Sequence, residues 1–278
     1  MKHKHYLISF SLAAVSIVSM YFTSTQSAQQ EPALTQSTLD YQTGATLYMQ
    51  KSAEYRAICY QTFGWARRTL ADDSKTMKRL PKADRKKPRA VVVDIDETML
   101  DNSPAQAAGI RTNTSFNQTD WAAWTSMRKA KAIPGAVEFS NFAKANDARV
   151  FYVSNREESE RRSTVDNLKA AGFPDISDET VMLLEKESTK EPRRMKIAEQ
   201  YRIVILIGDN LNDLANYFEK KSIADRFAET DRVKELWGNR FIVMPNAMYG
   251  EWENAIYDYQ RLTEPQKAEK RAAALELP

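Results

Sequence analysis

Residues 91–100 read VVVDIDETML, so two carboxylates, Asp94 and Asp96, stand two positions apart directly after an aliphatic run. Side chains two apart on an extended segment point to the same side, so both acids can face one ligand. Like charges withdrawn from water repel, and a bound cation relieves that repulsion. A third acid, Asp209, follows a second aliphatic run in YRIVILIGDN, and Gly208 before it lets backbone and ion approach closely. An oxygen-only donor set of this kind suits Mg²⁺, which takes one or two carboxylates together with water and phosphate oxygens.

Other chemistries are excluded by what the chain lacks. The two histidines, His3 and His5, lie in the basic start of the chain, and Cys59 is its single cysteine. A processed chain without that start has no Ser-His-Asp triad, no Cys-His pair and no His-rich zinc site. An intrachain disulfide is impossible. With 278 residues, 42% hydrophobic and 28% charged, the chain has the composition of a globular protein. The net charge of +3 includes Lys2 and Lys4, so it gives no reason to expect a nucleic-acid polymer as partner.

Three elements must position the acids. RAVVVDIDE, ARVFYVSNRE and YRIVILIGDN are short Val- and Ile-rich runs that each switch abruptly to polar residues, at Asp94, Ser154 and Asp209. Wholly apolar runs suit strands covered by helices on both faces. Between them lie segments of helical character, such as the one that ends at Gly172 and the one with Pro192 near its start. The alternation predicts an α/β fold with a doubly wound parallel sheet. Ligands of such sheets bind outside the carboxyl ends of the strands, where all three polar switches fall.

Around this core, residues 85–262, the chain divides further. Residues 1–28 have the basic start, apolar run and small-residue end of a secretory signal, with cleavage expected near Ser27 or Ala28. The expected location is therefore the periplasm, with an uncleaved membrane anchor as the alternative. Residues 29–84 are expected to form a tether and helical elaboration, with Leu47, Tyr55, Ile58, Cys59, Phe63, Ala66 and Leu70 on one apolar face. KRLPKADRKKPR, residues 78–89, has seven basic residues and two prolines and reads as a solvated linker. Residues 263–278 form a C-terminal tail.

The motifs DIDETMLDNSP, VSNREE, GDNLNDLAN and MPNAMYGEWENAI together resemble the class C acid phosphatases of the haloacid dehalogenase superfamily, the group of lipoprotein e-like phosphatases and 5'-nucleotidases. The resemblance covers residues 45–260 in order, and DxDET combined with GDNxxD is far more specific than either alone. It implies a Mg²⁺-dependent phosphomonoesterase with the superfamily's Rossmann-like core. By the same resemblance Asp94 is the nucleophile that forms an aspartyl-phosphate, and Asp96 the general acid and base. Ser154, with Asn155 supporting it, hydrogen-bonds the phosphoryl group, and Lys190 neutralises its charge. Asp94, Asp209 and the backbone carbonyl of Asp96 ligate the metal, and Asp213 supports that shell. Lys186 lies four residues before Lys190 and competes for the lysine role. The lipid-modified cysteine of the lipoproteins is absent, so no stable membrane partner is expected after processing.

Nucleoside monophosphates are the expected substrates. The resemblance points to them, and Trp121, Trp124, Tyr249 and Trp252 could bring flat side chains over the strand ends, Tyr249 being the foremost candidate. Each of these aromatics could equally pack helices onto the sheet. Asp101 and Asn102 are expected to serve only the turn into Ser103-Pro104, and Arg156 is open between a phosphate contact and a surface residue at a helix start. The insertion 103–133 is too short for a large cap, so the site is expected to be open. Two other functions remain: a phosphotransferase on the same scaffold, and a binding or adhesion protein without turnover. A homo-oligomer is compatible with the sequence.

Overall fold

The computed structural model describes residues 37–76, 78 and 80–278. The expected leader, residues 1–28, lies outside the described residues, as does the first part of the expected tether. Among the described residues no helix is long and apolar enough to cross a membrane.

The centre of the fold is a five-stranded sheet of β1 (Arg89–Val93), β4 (Ala148–Glu157), β5 (Val181–Leu184), β6 (Arg202–Gly208) and β7 (Phe241–Val243), in the order β5-β4-β1-β6-β7. Every neighbouring pair is parallel. Parallel neighbours need long crossovers, and the intervening helices supply them. The expected doubly wound α/β fold is the one found.

Alternation along the strands explains the two covered faces. Val91 and Val93 of β1, with Val150, Tyr152, Ile205 and Ile207, point into one apolar layer. That layer is closed by Cys59, Phe63 and Leu70 of α2 (Ala53–Thr76) and by Phe139 and Ala143 of α6 (Ala136–Ala145). Ala90 and Val92, with Phe151, Val153 and Leu206, point the other way. There they meet Ile197 of α8 (Glu191–Gln200) and Phe218. Each large side chain buried in these layers contributes about 1.5–3 kcal/mol.

The chain runs from β1 outward to β4 and β5, then returns to β6 on the other flank of β1 and continues to β7. The reversal beside β1 leaves a crevice at the carboxyl ends of β1 and β6, and Asp94 and Asp209 are the first residues past those two ends.

Two readings of the apolar face change. Leu47 is 50% exposed and Ile58 38% exposed. Leu47 belongs to a separate helix, α1 (Thr43–Lys51), which ends at the extended Ser52, so its register does not continue into α2. Ile58 sits on the flank of the stripe made by Tyr55, Cys59, Phe63, Ala66 and Leu70, all buried.

A short helix, α3 (Lys82–Lys86), lies within the basic segment before β1. Between β1 and β4, Leu100–Asp101 (β2) pairs antiparallel with Lys131–Ala132 (β3). This ribbon closes an insertion holding α4 (Ser103–Thr112) and α5 (Gln118–Ser126). On the far side of β4 the chain continues through α7 (Arg161–Ala171). Beyond β6 it continues through α9 (Leu211–Leu214), α10 (Ile223–Arg232) and, after β7, α11 (Glu251–Ile256). The last helix, α12 (Glu264–Ala273), holds to the body through Arg271, whose guanidinium lies 3.5 Å from the centre of the Tyr41 ring and donates to the Tyr257 hydroxyl at 2.6 Å.

Candidate active site

At the switch point Asp94 is buried, with its backbone amide donating to Ile207 at 2.9 Å, so β1 holds it against β6. Asp209 follows β6, and Asp213 lies in α9, where its carboxylate accepts from the Asn210 amide at 3.0 Å and closes a capping box. One oxygen each from Asp94, Asp209 and Asp213 lie within 4.8 Å of one another. Lys190, buried at the entrance to α8, donates to Asp94 and reaches Asp213 at 2.6 Å. Lys186 is exposed, so of the two candidate lysines Lys190 is the one brought to the acids.

The electrostatics follow from this packing. Burial pushes Asp94 well above the ordinary carboxylate range; Lys190 opposes the rise, while Asp213, Asp209 and Asp96 add to it. Burial and the nearby Asp213 push Asp209 up to about 7, against the hydrogen bond from Asn246. Lys190 loses hydration on burial, yet Asp213 and Asp94 keep its proton above the usual lysine range. One ammonium shared by crowded acids leaves negative charge uncompensated, and a divalent ion with a preference for oxygen ligands fits such a donor set. Asp94, Asp209 and Asp213 could hold it.

Close packing makes Gly208 necessary. A Cβ there would stand 2.4 Å from the Asp213 Cβ and 2.5 Å from its Oδ2. Gly208→Ala must push α9 outward, which should cost about 1–3 kcal/mol of stability, the usual range for overpacking. Urea denaturation of the metal-free protein checks this, and a variant as stable as wild type would contradict the packing.

Asp96 is held differently. Its carboxylate receives Arg156 Nη2 at 2.7 Å and Nε at 3.0 Å, Asn102 Nδ2 at 2.8 Å and Ser154 Oγ at 3.0 Å. Two expectations are corrected here. Arg156 is not at a helix start: β4 extends to Glu157, and alternation along it buries Ser154 and Arg156 on one side while Asn155 and Glu157 face out. Asn102 does more than serve a turn, because its amide donates to Asp96 and its carbonyl oxygen accepts from the Trp124 indole at 2.8 Å. The outward Asn155 donates to the Ser188 carbonyl at 2.8 Å and accepts from Arg193 at 2.6 Å, tying β4 to the segment that carries Lys190. Arg193 also donates to the Ser154 carbonyl at 2.6 Å.

The aromatic candidates are distributed around this centre. Trp121 has the Arg156 guanidinium, which binds Asp96, 5.6 Å from its ring centre. Trp124 is turned toward Asn102. The Tyr249 hydroxyl donates to the fully buried Glu97, and the Trp252 indole donates to the Tyr249 carbonyl at 3.2 Å.

Several residues of the site carried no assigned role in the sequence. Thr98 and Asn246 both donate to Asp209, at 3.1 and 2.9 Å. Arg193 and Glu97 connect segments far apart in the chain, as does Arg156, which the sequence had left between a phosphate contact and a surface residue. Only Arg156 had a usable signal, since it follows Ser154 by two on a strand.

The chain matches the model of the HAD superfamily, subfamily IIIB (acid phosphatase), over residues 7–252. Among solved structures it is similar to the class C acid phosphatase from Bacillus anthracis, at 33% sequence identity and a TM-score of 0.80, over 87% of this chain and 99% of that one. A structure of the Bacillus anthracis class C acid phosphatase with tungstate bound matches at 34% identity and a TM-score of 0.79, over 86% of this chain and 98% of that one. Coverage of this extent, together with the fold and the strand-end acids, leads to one assignment: the chain belongs to the HAD superfamily, subfamily IIIB, whose members are acid phosphatases, and it is a phosphomonoesterase.

Proposed function

We propose that the chain is a Mg²⁺-dependent acid phosphatase that hydrolyses nucleoside monophosphates through an aspartyl-phosphate on Asp94. The observation that carries this reading is the buried Asp94, paired with Lys190 and lying within reach of Asp209 and Asp213. An Asp94 oxygen attacks phosphorus as the bond to the leaving oxygen breaks, and Asp96 delivers a proton to that oxygen. Water then attacks the phosphorus, gives its proton to Asp96 and frees Asp94 and inorganic phosphate. Lys190 offsets charge on the phosphoryl oxygens, and Ser154 donates to them once it leaves Asp96. Arg156 and Asn102 keep the Asp96 carboxylate aimed at the leaving group.

Asp94, Asp209 and the Asp96 carbonyl would hold a divalent ion, with Asp213 supporting them, and the ion would supply positive charge where negative charge would otherwise repel phosphate. Tungstate bound to the related Bacillus anthracis enzyme supports an oxyanion site in this family. The nucleoside preference rests on Tyr249 and Trp121 at the margin of the site, where stacking on a base is worth about 1–3 kcal/mol. Phosphate release from a panel of nucleoside monophosphates and small aliphatic phosphates tests the assignment. Release from neither class would overturn it, and transfer to added alcohol in place of release would make the protein a phosphotransferase.

The leader reading places the enzyme in the periplasm, beginning near residue 28. Mass spectrometry of the exported protein should find that N-terminus; an intact Met1 in the membrane fraction would favour the anchor.

A further inference from the structure

Glu97 lies beside the reacting groups but has no part in the chemistry above. It is fully buried, and its backbone is left-handed, with φ of 59°. An L side chain pays for that conformation, and glycine or asparagine would serve a tight turn more cheaply. Withdrawing a carboxylate from water adds a second cost. Something specific to the carboxylate must offset both. Its oxygens accept from the Asn102 amide at 2.8 Å and from the Tyr249 hydroxyl.

These two bonds join the turn after β1 to the loop that carries Tyr249. The backbone of that loop is already fixed on either side of the tyrosine. Asn246 donates to Asp209 at 2.9 Å and accepts from the Met248 amide at 2.9 Å. Gln42 donates to the Met248 carbonyl at 3.1 Å. Gly250, with φ of 145°, lets the chain turn into α11 against the Trp252 ring. The ring itself is partly buried against the apolar core, and the bond from its hydroxyl to Glu97 fixes the polar end that packing leaves unset.

We propose that Glu97 is a positioning residue that holds the Tyr249 ring at a set tilt over the mouth of the site and thereby sets the preference for flat leaving groups. The inference rests on the reading of Tyr249 as a base contact. Through Asn102, which binds both Glu97 and Asp96, the same carboxylate links the selecting ring to the group that protonates the leaving oxygen.

The readout is the ratio of kcat/KM for a nucleoside monophosphate to kcat/KM for glycerol phosphate, measured in wild type, Tyr249→Ala, Tyr249→Phe, Glu97→Met and the Tyr249→Phe/Glu97→Met double variant. Tyr249→Phe keeps the ring and removes only its tether, so it separates stacking from positioning even if Glu97→Met fails to fold. The ratio should fall about fivefold in Tyr249→Phe, mostly through a higher KM for the nucleotide, because a stacking contact is present in ground and transition states alike. Adding Glu97→Met should lower it no further, since both changes break one link. A ratio in Tyr249→Phe within twofold of wild type, with Tyr249→Ala lowered, would overturn the positioning role and leave the stacking intact. A wild-type ratio near one, or one unmoved by Tyr249→Ala, would remove the stacking and the positioning role together.

Discussion

Asp94→Asn should lower phosphate release on the order of 10⁴-fold or more while leaving the protein folded. The amide is close in size to the carboxylate but cannot act as the attacking anion, and losing a nucleophile removes the whole covalent route. The variant also keeps an acceptor oxygen for Lys190, so the buried ammonium retains one hydrogen bond besides its contact with Asp213 at 2.6 Å. Asp96→Asn should be impaired less, about 10²–10⁴-fold, because it loses proton transfer but not the attack itself. Its loss should be smaller with a substrate whose leaving group is a good one, such as a nitrophenolate, which needs no proton. Steady-state rates with both substrate types check the pair. Near wild-type rates in Asp94→Asn would sink the mechanism.

Removal of divalent ions should abolish activity, and added Mg²⁺ should restore it. Asp94, Asp209 and Asp213 converge within 4.8 Å, with one ammonium among them. A phosphate dianion entering that arrangement meets net repulsion unless further positive charge is present. Asp209→Ala should therefore raise the Mg²⁺ concentration for half-maximal rate by at least about 10²-fold, the upper end of what outer-shell partners alone cost. Isothermal titration of the chelated proteins with Mg²⁺ provides a readout independent of turnover. Full activity after exhaustive chelation, or equal Mg²⁺ affinity in the two proteins, would contradict the account.

Legibility in the sequence followed physical range. The aliphatic runs ending at Asp94 and Asp209 announced two strand ends, and a doubly wound sheet brings such ends together, so fold and acidic centre could be read early. Lys190 was legible through the motif pattern, and packing explains why it rather than Lys186 arrives: Lys190 opens α8, whose Ile197 packs onto the sheet, while Lys186 stays in the exposed segment before it. What escaped were partners set by tertiary placement. Arg156 meets Asp96 from 60 positions away. Asn246 meets Asp209 from 37 positions away, and Tyr249 meets Glu97 from 152. Apart from the two-residue spacing that puts Arg156 on the side of Ser154, no local pattern encodes such a meeting. Arg156 was also obscured by the acidic residues after it, which resemble a helix start although β4 continues to Glu157.

The aromatics show the same limit from the other side. Trp124 and Tyr249 pack partly against the apolar core, and Trp124 spends its indole N–H on Asn102 and Tyr249 its hydroxyl on Glu97. Composition could nominate flat side chains but could not say which of them orient the reacting residues.

The central claim is that the phosphoryl group passes through Asp94. The direct test is acid quenching of the Mg²⁺-loaded Asp96→Asn protein during turnover of a nitrophenyl phosphate, followed by peptide mapping. With the base for the second step removed, hydrolysis of the intermediate slows and the acyl phosphate accumulates. The account predicts one phosphoryl group on the peptide that contains Asp94, released by hydroxylamine. Phosphate on any other residue, or steady turnover with no labelled peptide, would contradict it.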